Sequence, residues 1–503
     1  MGEFQELAST SDKKMPTVAV DQAWDYLEAH GGGASAAEEP YSLKALRRKI
    51  DLRIVPLMFF CYTMQFIDKV LINYAAVMGL NEDLKLQGND FTNAATSFFI
   101  AYLIAEKVPG AKWLGGNVIL WGIAAAATAG VQNYRGLLAC RILLGMFEAT
   151  IGPSLMLISS QWYTKEEQAP RFSFWYLGLG LGQIIGGVVS FGFQHVENAS
   201  IEGWRIMFIV LGIVTVIIGV ATFVFLPDTP MKASFLTDDE KIALLKHVSV
   251  NQTGIQNSTF RAAEIKEAVL DIQLWLLVLM VTLQSVSSGV VTTYSATLIK
   301  NFGFEPPHAA LLNTPSGIVS ITFTLLVGFG IRRLSHRWAW IFACSIPGVI
   351  GGALMSFLPK GNTAGLLIGI YLVNAIVAPL PVIYHWTAAN CAGYTKRAFA
   401  SATVAGSFSI GNIIGPQTFQ ARDAPEYRPA KIAVLATQAA AALVAVVLFM
   451  YYMWENKRRD ARDSSTRSMD SNAKEQVTSE NTTEVEAWGG MTDKENPRFR
   501  YVY

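Results

Sequence analysis

The chain has 503 residues, of which 51% are hydrophobic and 16% charged, with a formal net charge of +1. A soluble domain of ordinary composition carries about 25% charged residues, so this chain lies far on the apolar side, and its balanced charge offers no broad basic face to nucleic acid. Four cysteines (Cys61, Cys140, Cys344 and Cys391) fall in or beside apolar runs without Cys-x-x-Cys spacing, and six histidines are scattered. Neither pattern sets out a disulfide framework or a metal site, and no metal or cofactor is expected.

Residues 1–50 open without the apolar core of a cleavable signal peptide and read as a disordered tail with a Gly/Ala/Ser patch at 31–37. Twelve apolar runs follow, at about 53–75, 91–109, 117–134, 137–160, 171–193, 205–226, 271–296, 309–331, 338–358, 364–386, 398–419 and 432–454. Each is long enough to cross a bilayer as a helix, which takes about 20 residues. The predicted fold is therefore an all-α polytopic membrane protein with twelve transmembrane helices. The longest internal connection, 228–270, separates two groups of six, at 51–227 and 271–454, and its run LTDDEKIALLKH reads as a short surface helix. Residues 455–503 read as a second disordered tail.

An even number of spans leaves both tails on one side. Lys44, Arg47, Arg48, Lys49 and Arg53 precede span one, Arg332, Arg333 and Arg337 follow span eight, and Lys457, Arg458 and Arg459 follow span twelve. That enrichment predicts both termini in the cytoplasm. Asn198, in Asn-Ala-Ser, then lies on the outer side as the candidate glycosylation site. Trp113, Trp204, Trp338 and Trp454, near span ends, read as interfacial anchors.

Ionisable groups inside spans are costly and point to function. Asp68 and Lys69 lie well inside span one, and span four carries Arg141 and Glu148, seven residues or nearly two turns apart on one face. Two carboxylates and two cations can thus meet at one depth. A carboxylate in a partly dry cavity can exchange a proton near neutral pH, and a guanidinium offers a planar fork to a substrate carboxylate. Asp68 and Glu148 are the proton-coupling candidates, with the proton as coupling ion; Lys69 and Arg141 are substrate-binding candidates. The competing reading is a permanent ion network that locks helices together, with Lys69 snorkelling to the interface.

Glu106, near the end of span two, is a gating or structural candidate. In span five Gly178, Gly182 and Gly186 recur every four residues and offer a smooth face for packing or sliding. The segment 178–187, GLGLGQIIGG, echoes 407–416, SFSIGNIIGP, in span eleven, which supports a duplicated architecture and pairs Gln183 with Asn412 as candidate substrate contacts. His385, Asn374 and Tyr384 in span ten are further cavity candidates. No glycine-rich phosphate loop occurs, so uphill transport would draw on an ion gradient.

Several segments resemble the major facilitator superfamily and, within it, fungal permeases of the allantoate-permease type in the anion:cation symporter family. They are RKIDLRIVPL (48–57), FIDKVLINYA (66–75), RILLGMFEATIGPS (141–154), SSQWYTKEEQAPR (159–171), AANCAGYTKR (388–397) and GNIIGPQTFQARDAPEYRPA (411–430). The resemblance implies two pseudo-symmetric six-helix bundles, a central cavity, alternating access and uptake at the plasma membrane. It also implies a small carboxylate-bearing nutrient or vitamin as substrate (nicotinate, pantothenate, allantoate, biotin or similar), no obligate protein partner, and proton coupling at Asp68 and Glu148 with anion binding at Lys69 and Arg141. Two departures stand out. Lys69 occupies the place where the similar permeases usually have arginine, and VPGAKWLGG (108–116) replaces the usual charged signature after span two. A proton-antiport exporter and a non-transporting nutrient sensor are the alternatives.

Overall fold

The computed structural model describes residues 43–105, 111–196, 200–249, 261–470, 492–496 and 499–503. Helices occupy all twelve predicted positions, and ten of them, within the described residues, are long and apolar enough to cross a membrane. Spans two (Asp90–Ala105) and three (Ala111–Thr128) are the shorter pair. Four spans are interrupted: span four between Tyr134–Glu148 and Ile151–Trp162, span five between Lys165–Tyr176 and Gly178–Gln194, span eight at Asn313, and span ten by a tight 3-10 turn at Asn374–Val377.

The exterior is apolar and the interior mixed, the reverse of a soluble bundle. In span six (Gly203–Phe225), Ile213, Ile217, Val220 and Val224 form an exposed stripe at helical spacing, while Gly212, Thr215, Gly219 and Thr222 face inward. Thr215 and Thr222 donate to the carbonyls one turn back at 2.9 and 2.8 Å, so their hydroxyls are satisfied within the helix. Trp113 and Trp454 are exposed, consistent with anchoring, but Trp204 is fully buried and donates to Asp83 at 3.1 Å. It is a packing residue, because the short helix Leu80–Asp83 covers it.

Span five lies between span one (Leu43–Val77) and span eight. A methyl group on Gly182 would stand 3.0 Å from Thr63 O and 3.1 Å from Phe66 Cβ, and one on Gly180 would meet Ile321 Cγ1 at 2.5 Å. The predicted smooth face at Gly178, Gly182 and Gly186 therefore packs on span one, and Gly180 and Gly187 meet span eight.

One face of the molecule carries residues 43 and 470; we term it the terminal face and its opposite the far face. On the terminal face Arg171 pairs with Asp51 at 2.6 Å, Arg47 with Glu167 at 2.5 Å, and the linker helix Asp238–Ser249 joins them through Lys49–Glu240 at 2.6 Å and His247–Glu167 at 3.0 Å. Burial alone would raise the Glu240 carboxyl, but the Lys49 ammonium and the Thr237 backbone N–H hold it below the usual carboxylate range.

Both predicted tail boundaries need correction. Span one's helix begins at Leu43, because LKALRRKIDL continues the helical pattern and its charges pair with neighbouring elements. Span twelve runs from Arg428 to Asp470, and residues 492–496 and 499–503, which fall within the expected disordered tail, pack against the terminal face. There Asp493 is fully buried and pairs with Lys396 at 2.7 Å, Arg459 donates to Asp493 O at 2.8 Å, and Tyr501 N donates to Asn456 Oδ1 at 2.9 Å. Tyr501 also stacks on Tyr452 at 4.9 Å. Polar composition suggests a solvated tail, yet each of these charges finds a buried partner far away in the chain.

Two outcomes follow. Gly182→Val should destabilise the purified protein by about 1–3 kcal/mol through overpacking, read as a lower Tm in detergent, whereas Gly116→Val, with open space around the added methyl, should stay near wild type. Asp493→Ala should speed hydrogen–deuterium exchange at the Tyr501 and Val502 amides, which bond Asn456 and Asn390; unchanged exchange would show that Asp493 does not hold the segment.

Candidate functional site

In span one Tyr62, Gln65, Phe66 and Lys69 recur at three- and four-residue spacing and form one face of a central cavity between the two halves. Tyr176 of span five and Phe99 of span two complete that wall. The opposite wall comes from spans seven, ten and eleven, chiefly Gln284, Ser288, Asn374, Phe408 and Asn412. Span ten opens into the cavity because Pro379 and Pro381 lack N–H donors and crowd the preceding turn, so the chain tightens at Asn374–Val377 and resumes at Pro379–Asn390.

The four charges expected to converge do so, but not on one surface. Lys69 Nζ lies 3.2 Å from Glu148 Oε1, with the Lys69 side chain 11% exposed and Glu148 0%. Its ammonium also faces the rings of Tyr102 at 5.0 Å and Phe408 at 5.9 Å. Asp68 is buried on the other side of span one, and Arg141 is buried with Asp68 and Glu148 as its charge neighbours. Only Lys69 of the four lines the cavity. Adjacent helical residues point about 100° apart, so Asp68 and Lys69 cannot share a face. Arg141 therefore stands behind the wall, against Phe208 at 6.0 Å, and the expected fork for substrate is not presented to the cavity.

Of the remaining candidates, Asn412 lines the cavity, as does Asn374. Gln183 is buried outside the lining, its Nε2 3.4 Å from Asn313 Oδ1. His385 is exposed near the terminal face, where Arg337 Nε lies 3.3 Å from its Nδ1, and Tyr384 beside it is also absent from the lining. The turn at span ten rotates the helix after Pro379, so Asn374 and His385 do not share a surface. Glu106 and Asn198 lie outside the described residues.

Above the cavity the far face is closed by hydrogen bonds between the halves. Asn73 Nδ2 donates to Ser295 Oγ at 2.9 Å and Asn73 Oδ1 accepts from Ala296 N at 3.1 Å. Asn313 Nδ2 donates across the halves to Tyr74 Oη at 3.2 Å and, within the second half, to Ser295 Oγ at 2.9 Å. Thr92 meets Tyr294 at 2.5 Å, and Tyr294 stacks on Phe419 with ring centres 4.1 Å apart. The sequence reading missed this closure, together with Tyr62, Gln65, Tyr176 and Gln284. A usable signal was present in the amide residues Asn73, Gln284 and Asn313, which interrupt apolar runs. Asn73→Leu removes both of its bonds, about 2 kcal/mol, and should shift the population roughly thirtyfold toward opening of the far face. Pulsed electron paramagnetic resonance between labels at positions 87 and 422 reads that distance, and an unchanged distribution would place the closure elsewhere.

Residues 58–416 match the family described as Major Facilitator Superfamily. The chain is 37% identical to the "Thiamine pathway transporter THI73" of Saccharomyces cerevisiae, over 91% of this chain and 86% of that protein. It is 30% identical to the allantoate permease of the same yeast, over 92% and 87%. Among solved structures it is similar in fold to the xylose transporter XylE from E. coli, with a TM-score of 0.59 at 16% identity, covering 80% of this chain and 98% of that one.

Proposed function

The chain belongs to the major facilitator superfamily and is a membrane transporter, not an enzyme, and from that premise we propose that it carries a small carboxylate-bearing nutrient together with protons by alternating access. The observation that supports this reading is the pair Lys69–Glu148, one cation facing the cavity and held at 3.2 Å by a fully buried carboxylate. With Glu148 ionised, Lys69 is neutralised from within the protein. Protonation of Glu148 leaves the ammonium to a substrate carboxylate, and loss of that proton expels the anion. Asp68 and Arg141 set the charge behind the pair and act as positioning residues. The names of the two yeast relatives point to allantoate and to the thiamine pathway. Of the two, the anion fits a lysine-bearing cavity, whereas thiamine is a cation.

The same reading places both chain ends in the cytoplasm, since the terminal face carries the lysine and arginine clusters, and the protein in the plasma membrane, with Asn198 outside. Uptake under an inward proton gradient distinguishes the symporter from an antiporting exporter, and counterflow distinguishes either from a sensor.

The test is reconstitution in liposomes with labelled nicotinate, pantothenate, allantoate, biotin and thiamine. At least one carboxylate should accumulate under an inward proton gradient. Glu148→Gln should keep exchange and lose gradient-driven accumulation. Lys69→Met should lower apparent affinity by roughly ten- to a hundredfold, the range for a hydrogen bond to a charged group. Accumulation unaltered in Glu148→Gln would remove that residue from coupling, and transport of thiamine alone would overturn the anion reading.

A further inference from the structure

Residues 492–496 and 499–503 fasten the terminal ends of spans seven, nine, ten, eleven and twelve to one another. Asp493 Oδ2 accepts from Gln273 Nε2 at 3.0 Å, and Asp493 Oδ1 pairs with Lys396 at 2.7 Å and accepts from Ala392 N at 3.3 Å. Val502 O accepts from Trp386 Nε1 at 2.7 Å and from Asn390 Nδ2 at 2.9 Å, Asn456 Nδ2 donates to Tyr501 O at 2.9 Å, and Arg337 N donates to Tyr503 O at 3.0 Å. The helices keep partners of their own without the segment, since Lys396 also meets Glu267 and Asp271 at 2.8 Å each. The segment is therefore an added clasp. Short elements held from one side open locally without global unfolding.

Thr492 is the point at which that opening can be made lasting. It is 0% exposed, and its Oγ1 donates to Glu267 Oε2 at 3.0 Å and accepts from Glu495 N at 3.2 Å. Glu264 is close by as well: a methyl group on Gly393 would stand 2.9 Å from Glu264 Oε2 and 3.1 Å from Thr492 Cγ2. A phosphate on Thr492 would add nearly two negative charges and three acceptor oxygens beside these carboxylates, which repel it, and would take away the proton given to Glu267. A docked segment and a phosphorylated Thr492 thus exclude each other. In the sequence, Thr492-Asp493-Lys494-Glu495 sets acids one and three residues after the hydroxyl, the spacing that acidophilic protein kinases read. We propose that Thr492 is a phosphorylation site and that its modification releases the segment from the second half. The kinase takes the briefly open segment, and the phosphate bars its return. Release also frees the terminal end of span ten from Val502, on the cavity helix already interrupted at Asn374–Val377. The proposal rests on the reading that sets the terminal face in the cytoplasm, where ATP is available, and is independent of the substrate.

The test treats the full chain, purified in detergent, with an acidophilic kinase (casein kinase 2) and ATP, beside Asn390→Ala/Asn456→Ala, which loosens the segment without altering the residues the kinase reads. Mass spectrometry should map phosphate to Thr492 in both proteins, at a rate at least about tenfold higher in the variant, which has lost several bonds to the segment. The full chain carrying phosphothreonine at 492, introduced during translation, should exchange the Tyr501, Val502 and Ala392 amides at least about tenfold faster than the unmodified protein. No phosphate on Thr492 in either protein, with a standard substrate peptide modified alongside, overturns the modification site. Equal rates in the two proteins show that docking does not shield the hydroxyl, and unchanged exchange in the phosphothreonine protein shows that phosphate does not release the segment; either result overturns the switch. Orientation is scored separately, with kinase and labelled ATP added to sealed spheroplasts. Thr492 should be labelled only after permeabilisation, and labelling without it would overturn the cytoplasmic placement while leaving the docking result standing.

Discussion

Holding ionised groups away from water is the constraint on which the centre of this molecule depends. Asp68, Lys69, Arg141 and Glu148 are all buried or nearly so, and an isolated charge there would be far more costly than any single contact around it could offset. Two acids and two bases sum to zero, which is the only inexpensive state for such a group in a medium of low dielectric constant. Neutrality is also what the proposed cycle exploits. Adding one proton to the set leaves one positive charge in excess, and one carboxylate entering at Lys69 restores the balance. Coupling in this scheme needs no long relay, because proton and anion correct the same local imbalance.

The proposed cycle requires that neutral set to be approached from one side at a time, and the rest of the fold suits that requirement. Span five is glycine-lined toward span one and toward span eight, so the two halves meet with little side-chain interlocking along this seam. The far face, by contrast, is closed by directional bonds around Asn73, Ser295 and Asn313. Hydrogen bonds of this kind are individually modest, about 1 kcal/mol each, which suits a closure that has to open and re-form. The terminal face is built differently, with its linker helix fastened to the first half through Glu240 and Glu167 and the segment around Asp493 fastened to the second through Lys396 and Arg459. Each half is thereby stiffened within itself, which favours rigid-body rocking over local unfolding.

Hydropathy made the twelve spans legible, because the length and polarity a bilayer demands are written into each segment by itself. The convergence of Asp68, Lys69, Arg141 and Glu148 was legible too, since charge at that depth has few uses. Which of the four faces the cavity was not legible. It depends on the rotation of span one about its own axis, set by its packing against spans five, six and seven, and that rotation turns Lys69 inward and Asp68 away. His385 failed as a cavity residue for a similar reason: the turn at Asn374–Val377 breaks the helical register that would have linked it to Asn374. The terminal segment was misjudged because composition reports average polarity, whereas Asp493 and Tyr501 are ordered by specific partners far away in sequence.

A lysine at position 69, in place of the arginine that the resemblance leads one to expect, acquires a physical sense from this arrangement. A guanidinium is planar and binds best when a fixed fork meets a fixed carboxylate, and Arg141 already supplies a permanently charged group behind the wall. An ammonium is a compact charge on a flexible stem with donors in three directions, so it can exchange one carboxylate partner for another without reorienting a plane. Lys69 stands at Glu148 on one side and opens to the cavity on the other, between the rings of Tyr102 and Phe408. Those ring faces attract the cation and soften its desolvation while it changes partners. In the proposed cycle one immobile cation sets the charge of the site and one mobile cation trades between proton-carrier and substrate, a division of labour that two arginines in the same positions would perform less readily.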